Sequence, residues 1–120
     1  MPPRSWQLRA QDILSAAERI LEVTAGRTAA EFGEDVSLQE SVLFNLIVIG
    51  EAARHIPEPV RQRCPDVPWL DVAGMRNVIA HGYFDVDIPI VWRTVQDDLP
   101  QLMSSLRSVL AASDASGKDA

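Results

Sequence analysis

Between Val42 and Ile49 the chain reads VLFNLIVI, apolar at every position except Asn45. This stretch sits inside LQESVLFNLIVIGEAARHI, which carries helix signals at both ends. Ser37 and Glu40 have the spacing of a capping box. Pro57 sets the stop, because the residue before a proline avoids helical angles. A helix that is apolar all round must be covered on more than one side. The chain is therefore expected to form a layered helical fold with this helix in the middle. In so small a domain the second cover is expected to be another copy of the chain, a homodimer that buries the Val42–Ile49 face or its border. A core helix covered within one chain is the alternative. Asn45 and the small residues Gly50, Ala52 and Ala53 suit a close helix approach in either case.

The other segments read as helices too. From Trp6 to Thr24, apolar residues at Leu8, Ile13, Leu14, Ala17, Ile20, Leu21 and Val23 follow steps of three and four. Ser5 is the expected N-cap and Gly26 the stop. Thr28 to Phe32 is a short turn ending at Gly33, and Thr28 and Glu31 form a second capping-box pattern. The proline-rich run PEPVRQRCPDVPW leaves room for one short turn, Glu58–Arg63. A helix follows over Trp69–His81, with Pro68 at its first position, Gly82 after its end, and Val72, Met75, Val78 and Ile79 as its core stripe. Trp69 and Trp92 are expected core anchors. Asp85–Pro89 is a linker with Asp87 as a cap. The last helix spans Ile88 to Ala112, with Val91, Val95, Leu99, Leu102, Leu106 and Leu110 in its stripe and a kink expected at Pro100. The fold class is all-α, an up-and-down bundle of four main helices plus one or two short helical turns. Residues 1–112 form one domain, and SDASGKDA at 113–120 is an expected disordered tail.

The formal net charge of −6 argues against a surface that binds nucleic acid everywhere. Of the 11 basic residues, only Lys118 is not an arginine. Arginine's planar fork suits phosphate and carboxylate, although a base-composition bias gives the same count. Residues 54–81 carry four arginines against three acids, while the stretches on either side are net acidic. Phosphate binding is expected in that middle stretch. Cys64 is the lone cysteine, so neither an internal disulfide nor a cysteine-based zinc site can form. Glu51 and His55 are spaced Glu-x-x-x-His with no second copy, so no metal site is expected, and no cofactor motif is present. The longest strictly apolar run, Leu46–Ile49, is far short of a membrane span. The N-terminal MPPRSWQLRAQD has no signal-peptide core. A cytoplasmic protein without a membrane partner is expected.

The chemistry is concentrated in GMRNVIAHGYFDVD. At about 100° per residue, Arg76, Asn77 and His81 share one side of the Trp69–His81 helix with Ala73 and Ala80. Arg76 and His81 diverge by about 140° and about 7.5 Å of rise, so they can meet one phosphate only near the helix end. Arginine holds a phosphate by charge-assisted hydrogen bonds, and histidine moves protons near neutral pH. Those are two parts of a metal-free RNA cleavage in which the 2′-hydroxyl attacks. A capping or interface cluster uses the same residue types, and spacing alone leaves both open. Glu51 is an expected partner for Arg76 or Arg54, orienting a guanidinium without chemistry of its own.

RNVIAHGYFDVD resembles the R-x4-H-x-Y signature of the HepT-like family in the HEPN superfamily of small helical domains. IGEAA, the P-x-x-P-W turn, the VW pair and DDLP agree in order and spacing, as does Asp12 on the first helix, so the resemblance covers about residues 5–110. It implies the toxin of a type II toxin–antitoxin pair, a homodimeric, metal-independent ribonuclease with its site in the dimer cleft. Arg76 and His81 would be catalytic and Asn77 supportive. Tyr83 would be the hydroxyl that a minimal nucleotidyltransferase antitoxin modifies with adenylate. The competing readings are a catalytically silent dimeric helical adaptor of such a nucleotidyltransferase, and a nucleotide-binding module.

Overall fold

The computed structural model describes residues 5–116 and contains helices and turns but no strand among them. Helix α1 spans Trp6–Thr24, and the Ser5 hydroxyl accepts the Leu8 N–H at its start. Gly26, at φ +74°, supplies the left-handed residue that ends it. Helix α2, Ala29–Glu34, has the full capping box: Thr28 N–H donates to Glu31 and Glu31 N–H to the Thr28 hydroxyl, at 2.8 and 3.1 Å. Those bonds hold the Glu31 carboxyl below its ordinary range.

Helix α3 spans Val36–Ala53, and it differs from the expected helix at both ends. Asp35, not Ser37, is the N-cap; its carboxylate accepts the Leu38 N–H at 3.0 Å. Ser37 therefore lies inside the first turn, and Glu40 has no box to close. At the other end the helix stops before Arg54, short of Ile56. Arg61, from the short helix α4 (Glu58–Gln62), donates to the carbonyls of Ala53 and Ile56, so orphan carbonyls at the turn are bonded. Arg61 also lies 5.9 Å from the Trp69 ring centroid, and the Trp69 indole N–H donates to the carbonyls of Arg61 and Cys64. Both roles make Trp69 the expected anchor.

Helix α5 is Trp69–His81, ended by Gly82, with Pro68 as the N-cap rather than the first helical residue. A 3-10 turn over Tyr83–Asp85 leads to α6, Ile88–Arg93, which Asp87 caps by accepting the Ile90 N–H. The backbone then widens into a π turn over Thr94–Asp98 and continues as α7, Leu99–Ser116. The π turn accommodates Pro100: a proline ring in a regular helix clashes with the carbonyl four residues back, here that of Gln96. Every apolar stripe residue from Val91 to Leu110 is buried as expected. The helix outruns its expected end at Ala112: Ser113 is buried and accepts a bond from Gln7 of α1. Residues 113–116 are thus helical, and the rest of the expected tail, 117–120, lies outside the described residues.

The long helices alternate in direction as an up-and-down bundle. Helix α3 lies between α1 and α5, antiparallel to both; Arg19 meets Asn45 on one side, and Arg76 meets Gly50 on the other. Val42, Leu43, Leu46 and Ile49 are buried within the chain. Helix α3 is long and apolar enough to cross a membrane by length and composition, with half of it buried in the fold. Its central place accounts for that apolarity. Phe44 is 63% exposed, so the chain's own helices leave one border of this face open.

Gly50 is what lets α5 come so close. A Cβ there would lie 2.9 Å from the Arg76 nitrogen and 3.1 Å from the Val72 carbonyl oxygen. Both are backbone atoms and cannot swing away. This seating turns Val72 and Ile79 into the core. Val78, placed in the core stripe by helical periodicity, is instead 69% exposed on a flank beside Ile90 and Val91. The small residues expected to serve a close approach thus serve α5 of the same chain at Gly50. Gly50→Ala should lower stability by about 1–3 kcal/mol, as overpacking does. Urea unfolding followed by circular dichroism measures it, and a variant as stable as the parent would mean that the two helices part without cost.

Candidate active site

Arg76 projects from α5 one turn before its end, half-buried, with its stem against the Gly50 notch. Its NH1 donates to Asn77 Oδ1 at 3.0 Å, and its Nε lies 4.0 Å from Glu51 Oε1. Glu51 is a hub for more than one cation. Its other oxygen is 3.2 Å from Arg54 NH1 and 3.7 Å from His55 Nε2. Both partners expected for Glu51, Arg76 and Arg54, are therefore in place. The pairs are half exposed, which makes them orienting contacts more than sources of stability. Among the described residues no three His, Cys, Asp or Glu side chains group as a metal site would need.

Arg76 and Glu51 border an open recess of about 610 Å³ between α1 and α3. Helix α1 contributes Arg9, Asp12, Ser15 and Arg19 to it. These four recur at steps of three and four, a polar stripe beside the apolar one, and that periodicity was the available signal for them. Arg19 is oriented by Asn45, which accepts from its Nε at 3.0 Å. Asn45 is itself buried and donates to the Ser41 carbonyl. The polar break in α3 is therefore a fixed bracket for an α1 arginine.

His81 lies outside that recess, exposed in the last turn of α5. Within one chain the structure thus brings together Arg76, Asn77 and Glu51 and leaves His81 on the outer face. Tyr83 is further away. Gly82 ends the helix, and the 3-10 turn carries the phenol to Glu40, whose carboxylate accepts its hydroxyl at 3.2 Å. Glu40 and Glu51 are about three turns apart on α3, roughly 16 Å of rise. Seven residues on an unbroken helix would return Tyr83 to the Arg76 side, but the helix does not continue past Gly82. Partial desolvation, then the bond to Glu40 and its charge, push the phenol above its ordinary range. Its ring packs edge-on against the exposed Phe84 at 5.4 Å.

One outward stripe of α3 joins the two ends of the site: Glu40, Phe44, Ile47 and Glu51, at helical spacing. The polar ends hold Tyr83 and Arg76, and the middle is the apolar border left open in the monomer. Cys64 takes no part. It is buried near the Ser105 carbonyl, and burial raises its thiol above the ordinary range.

The chain matches the model of the family described as Ribonuclease HepT-like over residues 13–109. "Probable ribonuclease HepT" of Thermococcus cleftensis is 37% identical over 99 residues, 82% of this chain and 90% of that protein. Two proteins of Methanocaldococcus jannaschii are similar as well. "Putative RNase MJ1380" is 34% identical over 98 residues, 82% of this chain and 90% of the relative. "Putative RNase MJ1216" is 33% identical over 119 residues, 99% and 97% of the two chains. No solved structure matches. With the all-α bundle, the match over most of its length means that this chain belongs to the HepT-like ribonuclease family.

Proposed function

We propose that the protein is a metal-independent endoribonuclease, the toxin of a type II toxin–antitoxin pair, with Arg76 and His81 as its catalytic residues. The observation that carries the reading is Arg76 held by Glu51 and Asn77 at the rim of an open recess, on a chain whose relatives are named ribonucleases. In the reaction the RNA 2′-hydroxyl attacks the adjacent phosphorus. The new O–P bond forms as the bond to the 5′-oxygen breaks. One proton leaves the 2′-oxygen and one reaches the departing 5′-oxygen, and His81 is the group suited to carry it. Arg76 neutralises the charge that builds on the phosphate. Asn77 and Glu51 position that guanidinium. Arg76→Ala should lower cleavage of single-stranded RNA by roughly 10²–10³-fold. His81→Ala should lower it by roughly 10²–10⁴-fold. Neither removes a core side chain, so helicity should hold. Cleavage should continue in a chelator; its loss there, or full activity in His81→Ala, would overturn the mechanism.

The active form in this reading is a homodimer. His81 faces out of the monomer, and Phe44, with half-buried Ile47 and Val48 beside it, forms an apolar border next to Arg76. Pairing over this border covers Phe44 and brings two Arg76–His81 sets to one cleft. Light scattering should give twice the 13.2 kDa chain mass, and Phe44→Glu should give monomers that do not cleave. A cleaving monomer would remove the interfacial site.

Tyr83 is the proposed point of control by a nucleotidyltransferase antitoxin. Its oxygen would attack the α-phosphorus of a nucleoside triphosphate held by the partner, the bond to pyrophosphate would break, and Glu40 stands where the phenol proton leaves. The adenylate would then crowd the His81 end of the cleft. Co-expression with a minimal nucleotidyltransferase encoded beside it should raise the chain mass by whole adenylate units, and Tyr83→Phe should abolish the increase. An unmodified chain that the partner still silences would point to steric blocking.

A further inference from the structure

Arg9 presents an unexplained cost. Its Nε is buried and, among the described residues, has no hydrogen-bond partner. Buried polar atoms are nearly always bonded, so this nitrogen carries a cost in the free chain. The side chain lines the recess that Arg76 borders. Arg19 lines it too, oriented by Asn45 through Nε alone, so the terminal nitrogens of its fork are not part of that bond. Glu51 already faces Arg54, His55 and Arg76. Three guanidinium groups thus meet the carboxylates of Asp12 and Glu51 in one recess, on a chain of net charge −6.

Arg9 and Arg19 are separated by about 15 Å of rise on α1, so the recess extends well beyond the reach of one phosphate on Arg76. We infer that Arg9 and Arg19 form, next to Arg76, subsites for further backbone phosphates of the RNA beyond the scissile one, one phosphate at each arginine. This rests on the ribonuclease reading and adds to it a binding track along α1. The two arginines touch phosphates that do not react, so they set affinity and register on the strand. Their charge is not wasted in the free chain's surface field; it is concentrated where the strand must pass. The buried Nε is then satisfied, or screened by phosphate charge, only when RNA is bound, and its cost in the free protein reflects a site built for an anion.

Arg9→Met keeps the length of the stem and removes the orphan nitrogen and the charge. Binding of a 2′-O-methyl oligoribonucleotide, which cannot be cleaved, is followed by fluorescence anisotropy over a salt series. Arg9→Met should raise Kd roughly tenfold and flatten the salt slope by about 0.7 for the lost phosphate contact. Its Tm should stay the same or rise, since an unpaired buried group is gone. Arg9→Lys, which restores charge without the fork, should recover part of the affinity, and Arg19→Gln should weaken binding as Arg9→Met does. Unchanged Kd and salt slope in Arg9→Met would overturn the subsite, as would a lower Tm with intact binding, which marks a purely structural arginine. A parent chain that cleaves RNA while Arg9→Met binds as the parent does leaves the ribonuclease reading standing and removes only the subsite. A parent chain that neither binds nor cleaves RNA removes both.

Discussion

The absence of a side chain at Gly50 sets the distance between α3 and α5, and the functional geometry follows from that distance. With the α5 backbone about one atom's width from α3, the two antiparallel helices share a fixed register. Arg76 then falls opposite Glu51, and the turn after α5 delivers Tyr83 to Glu40. A wider spacing would slacken both contacts together, since both span the same pair of helices. The packing also decides what is left outside. Once Val72 and Ile79 fill the seam, His81 faces outward and Val78 cannot reach the core.

Charge around this seam orients side chains more than it stabilises the fold. Glu51 faces Arg54, His55 and Arg76 in half-exposed contacts, each of small energetic worth in water. What such contacts supply is direction: they hold the Arg76 fork at the rim of the recess. On the α1 side, Asn45 is buried at 5% exposure and orients Arg19 across the helix interface. Arg9 is tolerated with a buried unbonded nitrogen. A fold optimised for stability alone would replace it with an apolar residue.

Some of the site was legible in the chain and some was hidden by its folding. The Glu51–Arg76 pairing was readable because it depends on one complementary pair of charges. Dividing the charge by chain segments concealed Arg9 and Arg19. Both lie in a net acidic stretch, yet their helical stripe turns them towards the recess that Arg76 borders. Glu40 was concealed for a different reason. Two local patterns compete for the start of α3, and Asp35 takes the cap, which leaves Glu40 facing Tyr83. Capping patterns overlap in sequence, and only the backbone path selects between them.

The sequence by itself determined the helical class, most helix boundaries and the buried stripe of α7; on α1 it placed Ile13, Leu14, Ala17 and Ile20 in the core correctly, but Leu8 and Leu21, read in the same stripe, are exposed. Its correct readings follow from periodicity, caps and prolines, all of which act within a few residues. It also determined that α3 would be central, because an apolar helix needs cover on several sides. Tertiary structure decided which helix provides that cover, how close it comes and which polar groups meet across it. Val78 and Met75 read alike in the pattern, yet one is exposed and the other half-buried. Tyr83 follows Arg76 by two turns of an ideal helix, yet the turn after Gly82 takes it to a different part of α3. The physical reason is that a contact between helices depends on the relative rotation and spacing of two rigid rods. A single missing methyl group at Gly50 sets those quantities here, and neither helix encodes them alone.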